Sequence, residues 1–239
     1  MARENEIVLS DALSFLQGLE EDSVDLVLTD PPYAISRETN FVNKGMDRYH
    51  VTMDFGKWDH SEVEEMDRIA AEAWRILKDS GTFICFYDIW KLGSLKDMAE
   101  KAGFRLFRII EWMKKNPVPL NSHLTYLTNA REVALYAVKG AKPVFNSEYD
   151  LGVYSYPICQ DEGRFHPTQK PLALFKDLIL KHSRQGDLVV DCFSGSGTTA
   201  VAASQLGRRF MCCEISEEYW RKSNERLHAE SGGGHFLLP

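Results

Sequence analysis

Positive charge is in short supply in this sequence. Its 28 lysines and arginines are outnumbered by 35 aspartates and glutamates, giving a net charge of −7 over 239 residues. Taken over the whole chain, that balance argues against a polyanionic partner. Cysteine is sparse, and the five present (Cys85, Cys159, Cys192, Cys212 and Cys213) are odd in number and show no metal-ligand spacing, so no metal site is expected. Several lie in apolar, strand-like runs, which reads as reduced, buried thiols in a cytosolic chain rather than a disulfide framework. No apolar run is long enough to span a bilayer. The opening MARENEIVLS lacks the apolar stretch of a secretion signal. Internal repeats and a linker between independent domains are also missing.

What is present is ordinary in bulk and uneven in placement. Hydrophobic residues make up 44% and charged residues 26%, as in a globular protein with a sizeable core. The length suits one domain with elaborations. Between Lys101 and Phe145, eight basic residues face only Glu111 and Glu132, a local excess of six positive charges on an acidic body. Such a face can hold a polyanion. A solvated surface with chance clustering explains the charge equally well.

Strands and helices alternate along the chain. EIVLS reads as a strand, followed by Asp11 and a helical run through Leu13, Leu16 and Leu19. VDLVLTD is a second strand. Residues 34–60 have no period, which marks a functional or disordered loop. Ser61 and Glu64 form a capping box before a helix through Leu77. A turn at Asp79–Gly81 leads to the strand TFICFY, and RLFRIIEWMKK and REVALYAVKG are two more strands. After an irregular FNSEYDLGVYSYPICQDEGRF come a helix over 172–181, the strand DLVVDCF, a glycine turn, a helix ending at Gly207, the strand RFMCCEI and a last helix begun by Ser216.

Two motifs carry chemistry. In LVLTDPPYAIS an apolar strand runs into Asp30, Pro31, Pro32 and Tyr33. The prolines forbid a helix and remove two donors, so Asp30 and Tyr33 sit on a stiff extended turn at the carboxyl end of a strand. In open α/β sheets ligands bind there. The second motif, VVDCFSGSGTTAVAASQLGRRFMCCEI, places Gly195, Gly197 and Ala200 in the G-x-G-x-x-A pattern, with Glu214 ending the next strand. That is a site for NAD or another adenosine-bearing cofactor, or a plain turn. It is not a P-loop, because no lysine follows the second glycine. Few residues remain after Glu214, so the rest of the sheet comes from the first half of the chain, which makes the sheet circularly permuted.

This order, with DPPY ahead of the glycine motif, resembles the β-class S-adenosylmethionine-dependent DNA amino-methyltransferases over most of the chain. The resemblance implies a single α/β domain over residues 1–239, with a Rossmann-like, mostly parallel sheet that has an antiparallel edge strand and is circularly permuted. TDPPY resembles the catalytic motif, giving Asp30, Pro31, Pro32 and Tyr33 as catalytic residues. DCFSGSGTT resembles the cofactor loop, with Cys192 where the family usually has proline; Asp191, Phe193, Ser194, Gly195, Gly197 and Thr198 then line the cofactor. Glu214 and Ile215 fall at the ribose-binding strand end, and Asp11 with Ala12 at the adenine amine. HPTQKP, residues 166–171, resembles the motif beside the methionine end, which brings in Thr168 and Lys170. Lys170 with Pro171 also reads as a helix start, His166 as structural, Asp191 as an organiser of the glycine loop, and Phe165 equally as packing or as base pocket.

The chemistry accounts for these residue types. An adenine amine is a poor nucleophile because its lone pair is delocalised. Asp30 and the Pro31 carbonyl can each accept one N–H, drawing the nitrogen toward tetrahedral geometry for attack on a sulfonium methyl. A duplex base reaches such a site only when flipped out, and Tyr33 offers it a stacking face. The expected partner is double-stranded DNA, with Lys114, Lys115 and Arg131 on its phosphates and the irregular segments 34–60 and 116–165 reading its sequence. The setting is a prokaryotic or phage cytoplasm, as in restriction-modification, and a homodimer is left open. N4-methylation of cytosine is the alternative, although relatives with that activity more often carry serine at the Asp30 position. No Pro-Cys pair supports C5 methylation. A non-catalytic DNA-binding relative and an NAD dehydrogenase would be separated by cofactor binding.

Overall fold

The computed structural model describes residues 4–32, 66–118, 127–160 and 164–231. Tyr33, the segment 34–60 and the capping box of Ser61 and Glu64 lie outside the described residues. The elements run β1 (Glu6–Leu9), α1 (Ala12–Gln17), β2 (Val24–Thr29), α2 (Met66–Ile76), β3 (Leu77–Tyr87), α3 (Leu92–Ala102), β4 (Arg105–Lys114), β5 (Arg131–Val138), β6 (Val153–Tyr156), α4 (Leu172–His182), β7 (Leu188–Asp191), α5 (Thr198–Gln205), β8 (Arg209–Glu214) and α6 (Glu217–Glu230). Two helix starts follow the sequence closely. The Asp11 side chain accepts from Ser14 N–H to cap α1, and Ser216 accepts from Tyr219 N–H to cap α6.

The strands form one eight-stranded sheet in the order β1-β8-β7-β2-β3-β5-β4-β6. Its centre reads VDLVLT, LVVD and RFMCCE, nearly unbroken apolar runs, because parallel strands between two helix layers are buried on both faces. Alternation within a strand then sorts side chains by layer. Val27, Phe83 and Val190 pack toward α1, α2 and α3, whereas Leu26, Leu28, Ile84 and Val189 pack toward α4, α5 and α6. The motif strand β7 lies in the centre beside β2, so the half of the sheet carrying the glycine turn is completed by strands from earlier in the chain, as its late position requires.

Three details differ from the sequence reading. The one strand running against the others is β5, and it lies inside the sheet, between β3 and β4, rather than at an edge. The crossover through α3 sets β4 parallel to β3 but one slot away, β5 turns back into that slot, and β6 pairs in parallel with β4 as the edge. β5 is the expected strand REVALYAVKG, whereas β6 occupies part of the segment 116–165 expected to be irregular. β6 was hidden by its length: four residues, with only Tyr154 buried, between turn-forming neighbours. Second, the turn at Asp79–Gly81 is an irregularity within β3. Its pairing with β2 slips between Leu77 and Thr82, and Ser80 adopts φ 74°. Third, α3 is absent from the sequence reading; it has no side-chain N-cap and a glycine in its first turn, and only Leu92, Leu95 and Ala99 are buried.

Candidate active site

β2 and β7 run side by side in parallel, so their carboxyl ends share a rim. The helix after β2, α2, packs on one face of the sheet and the helix after β7, α5, on the other. With the two helices on opposite faces, this shared rim is the usual ligand position in such sheets. Across it the Thr29 hydroxyl donates to Asp191 Oδ1 at 2.8 Å. The same carboxylate accepts the Phe193 N–H at 3.0 Å and the Thr199 hydroxyl at 2.6 Å. Burial outweighs these donors and pushes the Asp191 carboxyl up to about 6. Asp191 thus ties β2, the glycine turn and α5 together.

The glycine turn needs its glycines. Gly195 and Gly197 adopt φ 51° and 75°. A Cβ on Gly197 would lie 3.1 Å from Ser223 Cβ and 3.2 Å from Ile7 Cδ1, so α5 could not start as close to α6 and β1. Gly195 N–H donates to Glu214 Oε2 at 2.8 Å, and Ser216 N–H to Oε1 at 2.9 Å. Each oxygen keeps a second lone pair that can accept a sugar hydroxyl. Burial raises the Glu214 carboxyl above its usual range. Beside it Ile215 is 70% exposed, an apolar surface suited to a flat ring. The neighbouring strand end presents Asp11, exposed and held below the usual carboxylate range by hydrogen bonding to Ser14, with Ala12 half-buried behind it. Ser10 N–H bonds to the Glu214 carbonyl at 3.0 Å, fixing the two ends together. Phe193 is half-buried and Ser194 buried in the turn itself.

The segment 166–171 closes the other side. His166 lies edge-on to the Tyr219 ring at 4.5 Å, with Nδ1 3.3 Å from Thr168 Oγ1. Burial, then the charges of Lys170 and Arg164, push its pKa down to about 4, so it is neutral near pH 7 and structural in character. Thr198, the first residue of α5, donates its hydroxyl to the Lys170 carbonyl at 3.4 Å. The Lys170 side chain is buried. Its ammonium bonds to Asp30 Oδ2, lies 3.0 Å from Glu132 Oε2 and stands 5.4 Å from the Phe86 ring centre. Desolvation works against the ammonium, yet the two carboxylates outweigh it and hold its pKa above the ordinary lysine value. Pro31 is buried and Pro32 half-buried after Asp30, while Tyr33, the expected stacking residue, lies outside the described residues.

The residues expected on phosphate divide. Lys114 Nζ lies 2.8 Å from Glu132 Oε1, so the lysine belongs to the internal charge network rather than to an open surface. Lys115 is exposed at the carboxyl end of β4. Arg131, opposite Met113 at the start of β5, is largely exposed and pairs with Glu111 at 2.8 Å. Both lie on the rim that carries Asp30. Lys139, counted in the basic segment, is buried against Trp74 and pairs with Asp22.

A model of the DNA methylase family, N6_N4_Mtase, matches residues 24–225, which include both motifs. The chain belongs to this family. It is 33% identical to the Type II methyltransferase M2.DpnII of Streptococcus pneumoniae, over 94% of this chain and 90% of that one. It is 29% identical to M2.MboI of Moraxella bovis, over 93% and 87%. Among solved structures, the M1.HpyAVI-SAM complex is similar at 29% identity and TM-score 0.68, covering 93% of this chain and 98% of that one. The PvuII cytosine-N4-specific DNA methyltransferase shares the fold, with TM-score 0.74 over 92% and 85% of the two chains at 21% identity. Within the described residues of this DNA methylase, no helix is long and apolar enough to cross a membrane.

Four residues of the site escaped the sequence reading. Thr29 and Thr199 brace Asp191; Arg226 donates to Ser196 O and Thr198 Oγ1, each at 3.1 Å; Glu132 meets two lysines. The threonines stand beside quoted motifs and had a signal there. Glu132 and Arg226 had none, because their partners are distant in sequence.

Proposed function

We propose that this DNA methylase transfers a methyl group from S-adenosylmethionine to the N6 amine of an adenine flipped out of double-stranded DNA. The observation that carries the reading is Asp30: a carboxylate at the end of β2, followed by two prolines and ion-paired to Lys170 beside the glycine turn. The rim suits an adenosine bearing an amino-acid tail. Glu214 offers acceptors for ribose hydroxyls, Ile215 and Ala12 apolar surface for the ring, and Asp11 an acceptor for the ring amine. Asp30 and Lys170 are a carboxylate and an ammonium near which the charged tail can lie, with Thr168 beside them. Gly195, Gly197, Phe193, Ser194 and Thr198 shape the floor. When bound, S-adenosylmethionine supplies an electrophilic methyl group on sulfur.

The chain's own groups do the rest. Asp30 and the Pro31 carbonyl accept the two N–H bonds of the target amine, which localises its lone pair. Pro31 and Pro32 keep those acceptors from relaxing, so little reorganisation accompanies bond formation. Methyl transfer from the bound cofactor would place positive charge on the amine, where the Asp30 carboxylate would stabilise it until the surplus N–H proton passes to solvent. Tyr33 provides the stacking face. Target reading falls to residues 34–60 and to the loops of 116–165 that flank β5 and β6. The chain acts as a single methyltransferase domain, in the cytoplasm of a prokaryote or phage host, in a restriction-modification setting and with homodimer formation open.

Asp30 at the head of the motif favours adenine, since N4-cytosine relatives more often carry serine there. The test is to incubate the protein with S-adenosylmethionine and mixed-sequence duplex, digest to nucleosides and identify the product by mass. N6-methyladenine is expected. N4-methylcytosine as the main product would overturn the base assignment, and methylation of RNA or protein alone would overturn the substrate.

A further inference from the structure

Beneath the rim, four side chains of alternating charge connect the catalytic acid to the end of β4. Lys170 bonds to Asp30 and lies 3.0 Å from Glu132 Oε2; Glu132 Oε1 in turn lies 2.8 Å from Lys114 Nζ. Lys170 is the most enclosed, with 6% of its side chain exposed. Glu132 Oε2 is sealed from solvent and lies 3.0 Å from the Lys170 ammonium. Such an arrangement needs a reason. Buried ion pairs are weak evidence for stability, because desolvation consumes much of the attraction.

The reason lies in the charge that Asp30 must present. An acid that accepts the amine's N–H helps most if it is negative when positive charge appears on the nitrogen. An ammonium bonded to that acid cancels its charge. Here a second carboxylate shares the ammonium, so Lys170 is not committed to Asp30 alone and cancels only part of its charge. Lys114 balances Glu132 from its other side, at 2.8 Å from Oε1. Without Glu132, burial would favour a neutral Lys170 or a fully neutralised Asp30–Lys170 pair.

We propose that Glu132 is a positioning residue for methyl transfer, acting through Lys170: it shares the ammonium, fixes it against Asp30 and leaves part of the catalytic acid's negative charge uncancelled. The inference rests on the methyl-transfer reading above. Its test compares Glu132→Gln, Glu132→Asp and the double variant Glu132→Gln/Lys114→Met with the parent, in single-turnover methyl transfer at saturating S-adenosylmethionine and duplex. Calorimetric titration of S-adenosylmethionine supplies the count of binding-competent sites and the affinity. Glu132→Gln is expected to lower the rate per binding site at least tenfold while the dissociation constant for S-adenosylmethionine changes less than threefold. Glu132→Asp should recover part of the rate. The double variant, which strands no charge at Lys114 and so remains folded, should stay slow. A parental rate in Glu132→Gln, or a parental rate restored in the double variant, would overturn the proposal, as would a loss confined to cofactor affinity. The parent and Asp30→Ala in the same assay separate the two claims: no transfer by the parent would sink the methyl-transfer reading itself, whereas transfer surviving in Asp30→Ala would sink only the role given to Asp30.

Discussion

Two neighbouring parallel strands each lead into an aspartate, and the two aspartates do different work. β7 ends in Asp191, whose oxygens receive two hydroxyls and a backbone N–H from the chain itself. β2 leads into Asp30, whose side chain is 17% exposed and paired with an ammonium. Burial drives Asp191 toward its neutral form, with a pKa of about 6. A carboxylate surrounded by its own chain's donors has geometry to hold and little left to offer a substrate. A carboxylate at the open rim, braced on one side by a lysine and followed by two prolines, keeps an acceptor at a fixed place. The difference lies in partners and access rather than in residue type.

Removing each acid should therefore fail in a different way. Asp30→Ala is expected to lower methyl transfer by at least ~10³-fold, since in the proposed mechanism the acceptor acts on the reacting amine, while affinity for S-adenosylmethionine falls much less. Asp191→Ala leaves the Thr29 and Thr199 hydroxyls and the Phe193 N–H without their acceptor, so it should cost about 2–4 kcal/mol of stability. It should also weaken cofactor binding by loosening the glycine turn. Chemical denaturation, calorimetric titration and single-turnover rates on both variants decide the matter. If Asp191→Ala binds cofactor normally but is slow in chemistry, or Asp30→Ala merely binds cofactor poorly, the two acids do not divide the work in this way.

Nothing in LVLTD and LVVD announces that division. Both read as apolar strands ending in an acid, and the sequence distinguishes them only by the residues after the acid: two prolines in one case, a glycine turn in the other. Those local signals were sufficient for the sheet's central strands, for the helix start at Ser216, and for placing Glu214 beside the glycine turn, because apolar runs and turn residues act over a few positions. They were insufficient where a contact joins distant segments. Lys170 read as a cofactor ligand or a helix start, and its bond to Asp30 spans 140 positions. Lys114 read as a phosphate contact because its neighbours are basic, and only the pairing of β4 with β5 brings Glu132 to it. The interior place of β5 was hidden in the same way, since slot order in a sheet is decided by crossovers and not by the strand's own residues.

The comparison extends to how the two sides of the sheet respond to acid. His166 packs at the glycine turn and His182 closes α4 between the rings of Tyr136 and Phe145. Burial depresses both to about 4. A histidine near 6.5 when unfolded and near 4 when folded takes its proton first in the unfolded chain, so stability present above pH 6.5 is lost as pH falls toward 4. Asp191 has the opposite sign: with its folded pKa raised to about 6, it binds a proton in the folded state first and offsets part of the loss between pH 6 and 4. The net expectation is a fall of about 2 kcal/mol between pH 6.5 and 4.5, read from urea midpoints. His182→Leu should flatten that slope markedly, because its Nδ1 is buried without a partner among the described residues. An unchanged slope in the variant would mean that His182 takes up its proton at the same pH in the fold as in the unfolded chain.

The smallest effect is expected at the rim's outer edge, where the comparison is between a lysine held inside and cations left outside. Lys115 and Arg131 are exposed beside Asp30's rim, whereas Lys114 is engaged by Glu132. A cation that neutralises a phosphate releases a counterion, so each such contact contributes about 0.9 to the slope of log affinity against log salt on duplex. Lys115→Ala with Arg131→Ala should weaken binding to every duplex sequence alike and lower the slope by about 1 to 2. Arg131 must leave Glu111 to reach a phosphate, which sets it toward the lower end of that range. Lys114→Met, by contrast, should leave the slope nearly unaltered and act instead on the rate of methyl transfer through Glu132. Fluorescence anisotropy with labelled duplex over a range of salt concentrations measures all three. A slope that drops with Lys114→Met and not with the outer pair would reverse the assignment, returning Lys114 to the phosphate backbone and making Lys115 and Arg131 ordinary solvated side chains.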